Sequence, residues 1–248
     1  MRNIWTIARR EYKLYFISPV AYVVAFLFLF IMGWFFYSAM RDAILQAAFQ
    51  SAPYAPGVQI IISPMVTLLL FTMPAITMRT LSEEARMGTM ELMLTAPVKD
   101  WELVVGKWLG AFMFILSLLL VTWIFPIVLN YMVEPGIDQG PLVTGYLGLV
   151  LMVASLVAIG VGISALFSNQ VASFFISLAI VLVFWLVRPS SATTGGWGAE
   201  VLTYLNFIDH FLTFFRGSID LSDVVYYLSL TALGLFLGTV AIEIRRWR

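Results

Sequence analysis

The sequence predicts an all-α polytopic membrane protein with six transmembrane helices, and three observations lead to this fold class. Hydrophobic residues make up 61% of the 248 residues and charged residues only 11%, against about 25% charged residues in soluble domains. Six apolar stretches are near or above the length of about 18 residues that lets a helix cross a bilayer. Five of them contain no Asp, Glu, Lys or Arg, and the sixth contains only Asp223. The stretches are 20–40, 58–78, 109–132, 143–167, 171–187 and 221–242.

The Lys and Arg residues determine the predicted orientation, because cytoplasmic segments of membrane proteins carry an excess of both. With the N-terminus in the cytoplasm, only Arg41, Arg188 and Arg216 of the 14 Lys and Arg residues lie on the other side. Both termini are therefore predicted to be cytoplasmic, which agrees with an even number of spans.

Residues 1–17 are predicted to form an amphipathic helix that lies in the membrane interface. Cations recur at helical spacing on one face, and apolar and aromatic residues occupy another. A simpler alternative is a cationic flank that anchors the first span. Ser18-Pro19 would end this helix and start the first span. The residues expected to anchor the helix at the interface are Arg9, Arg10 and Lys13.

The largest cytoplasmic segment, 79–108, is too polar to cross a membrane and is predicted to be a short broken helix beneath it. Thr80 and Glu83 match a capping box for its first part, which Gly88 would end. Pro97 would stop the second part, and Asp100 would cap the helix that leads into the third span. The segment combines helix caps with apolar Met and Leu residues. This combination favours a segment on which a partner docks, and the alternative is an inert interfacial loop.

Two external connections are predicted. Residues 41–57 contain two prolines and a glycine and are expected to form a loop. Residues 188–220 are expected to begin with a flexible stretch and to continue as short external helices of the re-entrant or interfacial type, stopped at Gly217 before the last span.

Small residues predict where helices approach each other closely. The fourth span is rich in Gly, Ala and Ser, and the sixth contains a GxxxG pattern. Packing within the chain is the commoner explanation, and packing against a second copy is the alternative. The glycines selected for helix packing are Gly160, Gly234 and Gly238.

Motifs for chemistry are missing from the sequence. Gly106-Lys107 does not complete a phosphate-binding loop, because Trp101 stands where its first glycine is needed. We therefore expect no catalytic residue, no metal site and no cofactor in this chain. His210, the only histidine, lies beside Asp209 and could be a ligand or a proton carrier, although a local hydrogen bond is the more common role. The net charge of zero indicates no nucleic-acid partner.

The cytoplasmic segment also carries a family resemblance. RTLSEEARMGTMELMLTAPV, from Arg79 to Val98, resembles the core of ABC-2 type transporter permeases. ARREYKLYFISPVAY, from Ala8 to Tyr22, and the stretch from Asp209 to Tyr227 are similar to the same family. Together the three stretches look most like the branch of gliding-motility-associated and copper-processing-associated permeases. The resemblance implies a single ABC-2 type transmembrane domain over residues 1–248.

The resemblance implies a coupling helix in segment 79–108 that sits in a groove of a separate ABC ATPase, which binds ATP and Mg. Two permease chains, identical or related, would pair with two ATPases in the plasma membrane of a bacterium or archaeon. Membrane lipid surrounds the chains, and an extracytoplasmic auxiliary protein is a further candidate partner. Carried over by position, the coupling residues are Glu83, Glu84, Arg86, Gly88, Thr89 and Glu91.

Two functions remain open at this point. The first is the permease subunit of an ATP-driven exporter of an unidentified substrate. The second is a non-transporting membrane anchor that transmits ATPase-driven movement to an extracytoplasmic or motility complex. A membrane enzyme is disfavoured, because the spans offer no pair of ionisable groups at membrane depth.

Overall fold

The computed structural model describes residues 2–49, 56–95, 98–186 and 204–246, and within these ranges the chain forms eleven α-helices, a further helical stretch at 204–205 and no strand. The first five are α1 (Arg2–Tyr15), α2 (Pro19–Phe49), α3 (Gln59–Thr77), α4 (Ser82–Met87) and α5 (Thr89–Thr95). The other six are α6 (Asp100–Val121), α7 (Ile124–Met132), α8 (Gln139–Leu166), α9 (Gln170–Leu186), α10 (Phe207–Phe215) and α11 (Leu221–Arg246).

Five helical stretches among the described residues are long and apolar enough to cross a membrane: those built on α2, α3, α6 with α7, α8 and α11. The remaining predicted span, 171–187, corresponds to α9. Helix α9 is an apolar helix of 17 residues, and it extends about 26 Å at 1.5 Å per residue. This helix is therefore shorter than the other five stretches.

Helix α2 extends further than the sequence pattern indicated. The predicted external loop began at residue 41, whereas the helix continues through Arg41 and Asp42 to Phe49. Residues 43–49 contain good helix formers and neither Gly nor Pro, so no local signal stops the helix there. Residues 50–55 of that loop lie outside the described residues.

Helix α8 is the centre of the bundle, and glycines bring its neighbours into backbone contact. A Cβ atom added to Gly234 of α11 would lie 2.5 Å from the carbonyl carbon of Ala158, and one on Gly162 would lie 2.6 Å from the carbonyl oxygen of Gly234. Gly238 faces the Cα atom of Gly162. Gly160 faces α3 instead, where an added Cβ would lie 2.1 Å from Thr77 Oγ1. The three predicted packing glycines therefore lie at contacts within the chain.

The bundle has two distinguishable ends. At one end, which we call the α4 end, the hydroxyl oxygen of Ser164 near the end of α8 accepts hydrogen bonds from the amides of Leu81 and Ser82, each 3.0 Å long. At the other, the α10 end, the Thr144 hydroxyl near the start of α8 donates to the carbonyl of Phe214, 2.7 Å away. Helix α8 thus connects the two ends.

The described part of the predicted external segment 188–220 is α10 and the turn that follows it, while residues 188–203 lie outside the described residues. Asn206 caps α10 by accepting hydrogen bonds from the amides of Ile208 and Asp209. Gly217 follows with a φ of +89°, a conformation that suits glycine, and this residue lies against Pro141 at the start of α8. The short helix and its stop at Gly217 agree with the sequence pattern.

The contact between α8 and α11 predicts a clear difference between two glycine substitutions. Gly234→Ala places a methyl group on the backbone of α8, and we expect overpacking to cost about 1–3 kcal/mol. Gly33→Ala on α2 meets no atom within 4 Å, so we expect it to leave stability unchanged or raised by up to about 1 kcal/mol. Thermal unfolding of both variants in one detergent measures the difference. Equal melting temperatures would contradict the close packing of α8 and α11.

Candidate coupling site

The predicted cytoplasmic segment forms a bent pair of short helices at the α4 end. Gly88 ends α4 with a φ of +71°, in the left-handed region that glycine adopts most easily. Helix α5 starts at the next residue. The outward surface of the bend, which we call the tip, consists of Arg86, Met87, Gly88 and Glu91, all of them exposed. Met87 is 58% exposed, so the tip combines both charges with an apolar side chain.

Three other predicted coupling residues make contacts inside the protein. Glu83 pairs with Arg79, with a distance of 3.1 Å between Oε2 and Nε. Glu84 Oε1 lies 2.7 Å from the ammonium nitrogen of Lys107. The Thr89 hydroxyl donates to the carbonyl of Glu84 over 3.4 Å. The six residues therefore divide into three at the tip and three that hold the tip in place.

The start of α4 differs from the predicted capping box. The Thr80 hydroxyl donates to the carbonyl of Thr77 instead of capping the helix. Ser164 of α8 supplies the acceptor for the first amides of α4. The prediction was wrong because the cap comes from a residue more than 80 positions away, which a local pattern cannot reveal.

Lys107 is the polar centre of the site. Its side chain is 1% exposed, and its ammonium nitrogen lies 3.0 Å from Glu11 Oε1 as well as 2.7 Å from Glu84 Oε1. The two carboxylates are 9% and 13% exposed and come from α1 and α4. One buried cation thus ties α1 and α4 to α6. If all three groups are ionised, the cluster carries one surplus negative charge, and Glu84 Oε2 has no hydrogen-bond partner.

Helix α1 packs against α6 through glycines on either side of Lys107. A Cβ atom on Gly106 would lie 2.8 Å from the Cβ atom of Ile7, and one on Gly110 would lie 2.6 Å from that of Glu11. The backbones can meet only because these side chains are absent. The three predicted anchor cations of α1 are all exposed: Arg9, Arg10 and Lys13.

The end of α1 adds an aromatic contact to this packing. The Tyr15 ring stacks on Phe114 of α6 with ring centroids 4.8 Å apart. Burial, and secondly the negative charge of Glu11, raises the pKa of the Tyr15 phenol, so this hydroxyl is neutral at physiological pH. The contact fixes the last turn of α1 as a part of the bundle.

The C-terminal end of α11 lies in the same region. Arg246 Nη2 lies 3.2 Å from Asp100 Oδ1, and Arg245 Nη1 lies 3.7 Å from the sulfur of Met90. Near the other end of the chain, the side-chain amide of Asn3 in α1 donates to Glu102 Oε2 over 3.1 Å. Both ends of the described chain therefore lie at the α4 end.

A second polar cluster lies at the α10 end. His210 Nδ1 is 2.6 Å from Asp223 Oδ1, and Nε2 is 2.9 Å from the carbonyl oxygen of Tyr204. A carbonyl only accepts hydrogen bonds, so Nε2 carries a proton. His210 therefore joins α10 to α11 through hydrogen bonds. A hydrogen-bonding role was the more common of the alternatives considered for this residue. The described residues contain no group of three or more His, Asp or Glu side chains that could hold a metal ion.

Sequence reasoning missed Glu11 and Lys107 as site residues. From the sequence, Lys107 is assigned to the cytoplasmic segment and to an incomplete phosphate-binding motif but not to a site, although its position between Gly106 and Gly110 is a usable signal. A lysine between two glycines on a membrane helix indicates a helix that approaches closely and brings a counter-charge. Glu11 gave no such signal, because its partner lies 96 positions away.

Substitutions in the Lys107 cluster are predicted to have unequal effects. Lys107→Met leaves two buried carboxylates facing each other, at an expected cost of roughly 3–5 kcal/mol. Glu84→Gln keeps an oxygen acceptor and removes the surplus charge, so we expect a change within about 1 kcal/mol. Thermal unfolding of the solubilised protein measures both effects. The matched control is Lys13→Met, an exposed lysine of α1, and a Lys107→Met variant that melts like this control would contradict the buried cluster.

Comparison with known proteins gives the family. A family model described as ABC-2 family transporter protein matches residues 5–242. No curated protein matches the chain. The match covers all eleven helices except the ends of the first and the last, and members of this family are membrane components without ATPase activity of their own. The chain belongs to the ABC-2 transporter family and is a membrane component of an ABC transporter.

Proposed function

We propose that this chain is the permease subunit of an ABC exporter and that a separate ATPase subunit docks on the tip of α4 and α5. One observation carries the proposal: the tip is exposed while the residues behind it are anchored in the bundle. An exposed Arg86, Met87 and Glu91 can contact a partner, and Glu83 and Glu84 connect the same short helix to Arg79 and Lys107. ATP and Mg would bind to the partner, since this chain has no phosphate-binding loop.

The Lys107 cluster gives the proposed coupling a physical path. A force on the tip acts on α4, whose Glu84 shares the buried ammonium group with Glu11 of α1. Separating either carboxylate from Lys107 would leave a charge buried without a partner, which is costly. Helices α1, α4 and α6 are therefore expected to move together when the ATPase closes. Trp108, next to Lys107, donates from its indole nitrogen to the carbonyl of Ala154 and extends the path to α8.

Charge reversal at the tip tests the docking. In Arg86→Glu combined with Glu91→Lys, like charges would meet across the interface, and we expect at least a roughly tenfold loss of co-purifying ATPase activity. The measurement is ATP hydrolysis by the complex purified from native membranes in mild detergent. The fold should survive, because neither side chain makes an internal ion pair among the described residues.

The control for this experiment is Arg216→Glu, which reverses an exposed charge at the α10 end. It should leave ATPase recovery unchanged. Full recovery with the double tip variant, or an equal loss with Arg216→Glu, would contradict docking at the tip. Glu84 variants are unsuitable for this purpose, because they also alter the internal cluster.

We infer in addition that α9 is a sixth crossing. Ser164 near the end of α8 lies at the α4 end, whereas α10 lies against the start of α8 at the opposite end. The chain has to travel between these ends after residue 166, and α9 is the apolar helix that follows. Six crossings would put both termini on the same side of the membrane, and the distribution of Lys and Arg favours the cytoplasmic side.

Cysteine labelling tests the sixth crossing, and the absence of native cysteine makes each introduced thiol unique. Ser168→Cys lies between α8 and α9, and Ser218→Cys lies between α10 and α11, both at exposed positions. A membrane-impermeant maleimide applied to intact cells should label Ser218→Cys and should label Ser168→Cys only after permeabilisation. Labelling of both in intact cells would contradict the crossing by α9.

The assembly follows from the family resemblance. We propose two permease chains with two ATPases in the plasma membrane of a bacterium or archaeon, within the branch of gliding-motility-associated and copper-processing-associated permeases. Co-expression of this chain with two different tags tests the homodimer: one tag should capture the other, and failure to do so in a complex that retains ATPase would indicate a related second permease.

A further inference from the structure

A cavity of about 470 Å³ lies where α1, the start of α2, the end of α3 and the pair α4–α5 meet. This volume is within the range of about 300–1,000 Å³ that is typical of small-ligand pockets. One wall is apolar, and it includes exposed side chains at the junction of α1 and α2. The apolar lining residues used below are Leu14, Ile17, Val20, Val24, Ala75 and Ile76.

The other side of the cavity is charged, and three carboxylates and three cations line it. Each lining carboxylate already has a cation: Glu11 and Glu84 share Lys107, and Glu83 pairs with Arg79. Arg10 also lines the cavity and is exposed, and no ion pair among the described residues includes it. Arg10 therefore makes no close ion pair and interacts with Glu84 only at longer range, while the other lining guanidinium group, that of Arg79, also donates to the Ser18 hydroxyl over 3.3 Å.

This combination fits an amphiphile with an anionic group at one end. A guanidinium group binds phosphate oxygens with two parallel hydrogen bonds, and an apolar wall binds acyl chains. The volume holds a head group and the first part of a chain but not a whole lipid. The apolar surface continues from Ile17 of the cavity lining, which is 74% exposed, to α2, where Val23 is 56% exposed. An acyl chain leaving the cavity would lie along this surface.

We propose that the cavity binds the phosphodiester head group of a membrane phospholipid, with Arg10 donating to the phosphate and the acyl chains following the start of α2. The ligand belongs to the membrane and is not the exported substrate. This proposal rests on the placement of α1 in the membrane interface but not on the docking of an ATPase. A bound phospholipid would fill the space between α1 and α4, the two helices that Lys107 joins.

Native mass spectrometry of the purified full chain tests the proposal without any partner protein. The probes are dioleoyl phosphatidylglycerol, dioleoyl phosphatidylethanolamine and a phosphate-free glucosyl diacylglycerol with the same chains. We expect one tightly held copy of either phospholipid and at least about tenfold weaker retention of the glucolipid. The readout is lipid binding alone, so its failure is distinguishable from a failure of the coupling proposal.

Two variants locate the site. Arg10→Gln should reduce phospholipid retention by about tenfold, whereas Arg9→Gln, the same change on an exposed neighbour that does not line the cavity, should not. Ala75→Phe keeps every charge and fills part of the cavity, and it should reduce retention of both phospholipids. Thermal unfolding confirms that each variant is folded.

Three results would overturn the proposal. Equal phospholipid retention by the Arg10→Gln and Arg9→Gln variants would contradict phosphate binding by Arg10. Equal binding of the glucolipid would indicate lipid held by the apolar wall without phosphate recognition. Displacement of the phospholipid by inorganic phosphate at millimolar concentration would indicate a site for the free anion.

Discussion

The buried ammonium group of Lys107 is the interaction on which the arrangement of the α4 end depends. A charge removed from water must have partners, and here they come from two different helices, Glu11 of α1 and Glu84 of α4. The buried residues of α1 are Ala8 and Glu11, and that of α4 is Ser82. The cluster therefore ties both helices to Lys107 of α6, and any movement that separates these charges carries a penalty.

Close backbone approach makes this interaction possible. Gly106 and Gly110 let α1 lie on α6 near enough for Glu11 to reach Lys107. Close packing at glycines also holds α11 against α8, and the glycines there are Gly162, Gly234 and Gly238. Since Ser164 of α8 also holds the start of α4, the coupling segment rests on two tightly packed helix pairs. A rigid support of this kind suits a segment that receives force from a partner.

The local pattern of the sequence predicted the helical class, five of the spans, the bend at Gly88 and the stop at Gly217, because hydropathy and glycine conformation are local properties. It failed where a partner is distant in the chain: Ser164 replaced the expected cap of Thr80, and no pattern predicted the pairing of Glu84 with Lys107. The extent of α2 was also missed, since no breaker marks residue 41. The first two differences arise from contacts between residues that are far apart in the chain.

The most direct measurement of the central claim is the distance between α1 and the tip. Spin labels at Arg9→Cys and Met87→Cys, both exposed and in a chain without other cysteines, report this distance by pulsed electron paramagnetic resonance in lipid nanodiscs. We expect a narrow distribution in the otherwise native chain and a broad or shifted one when Lys107→Met is added. Identical distributions with and without Lys107 would contradict the claim that its ion pairs hold α1 and α4 together.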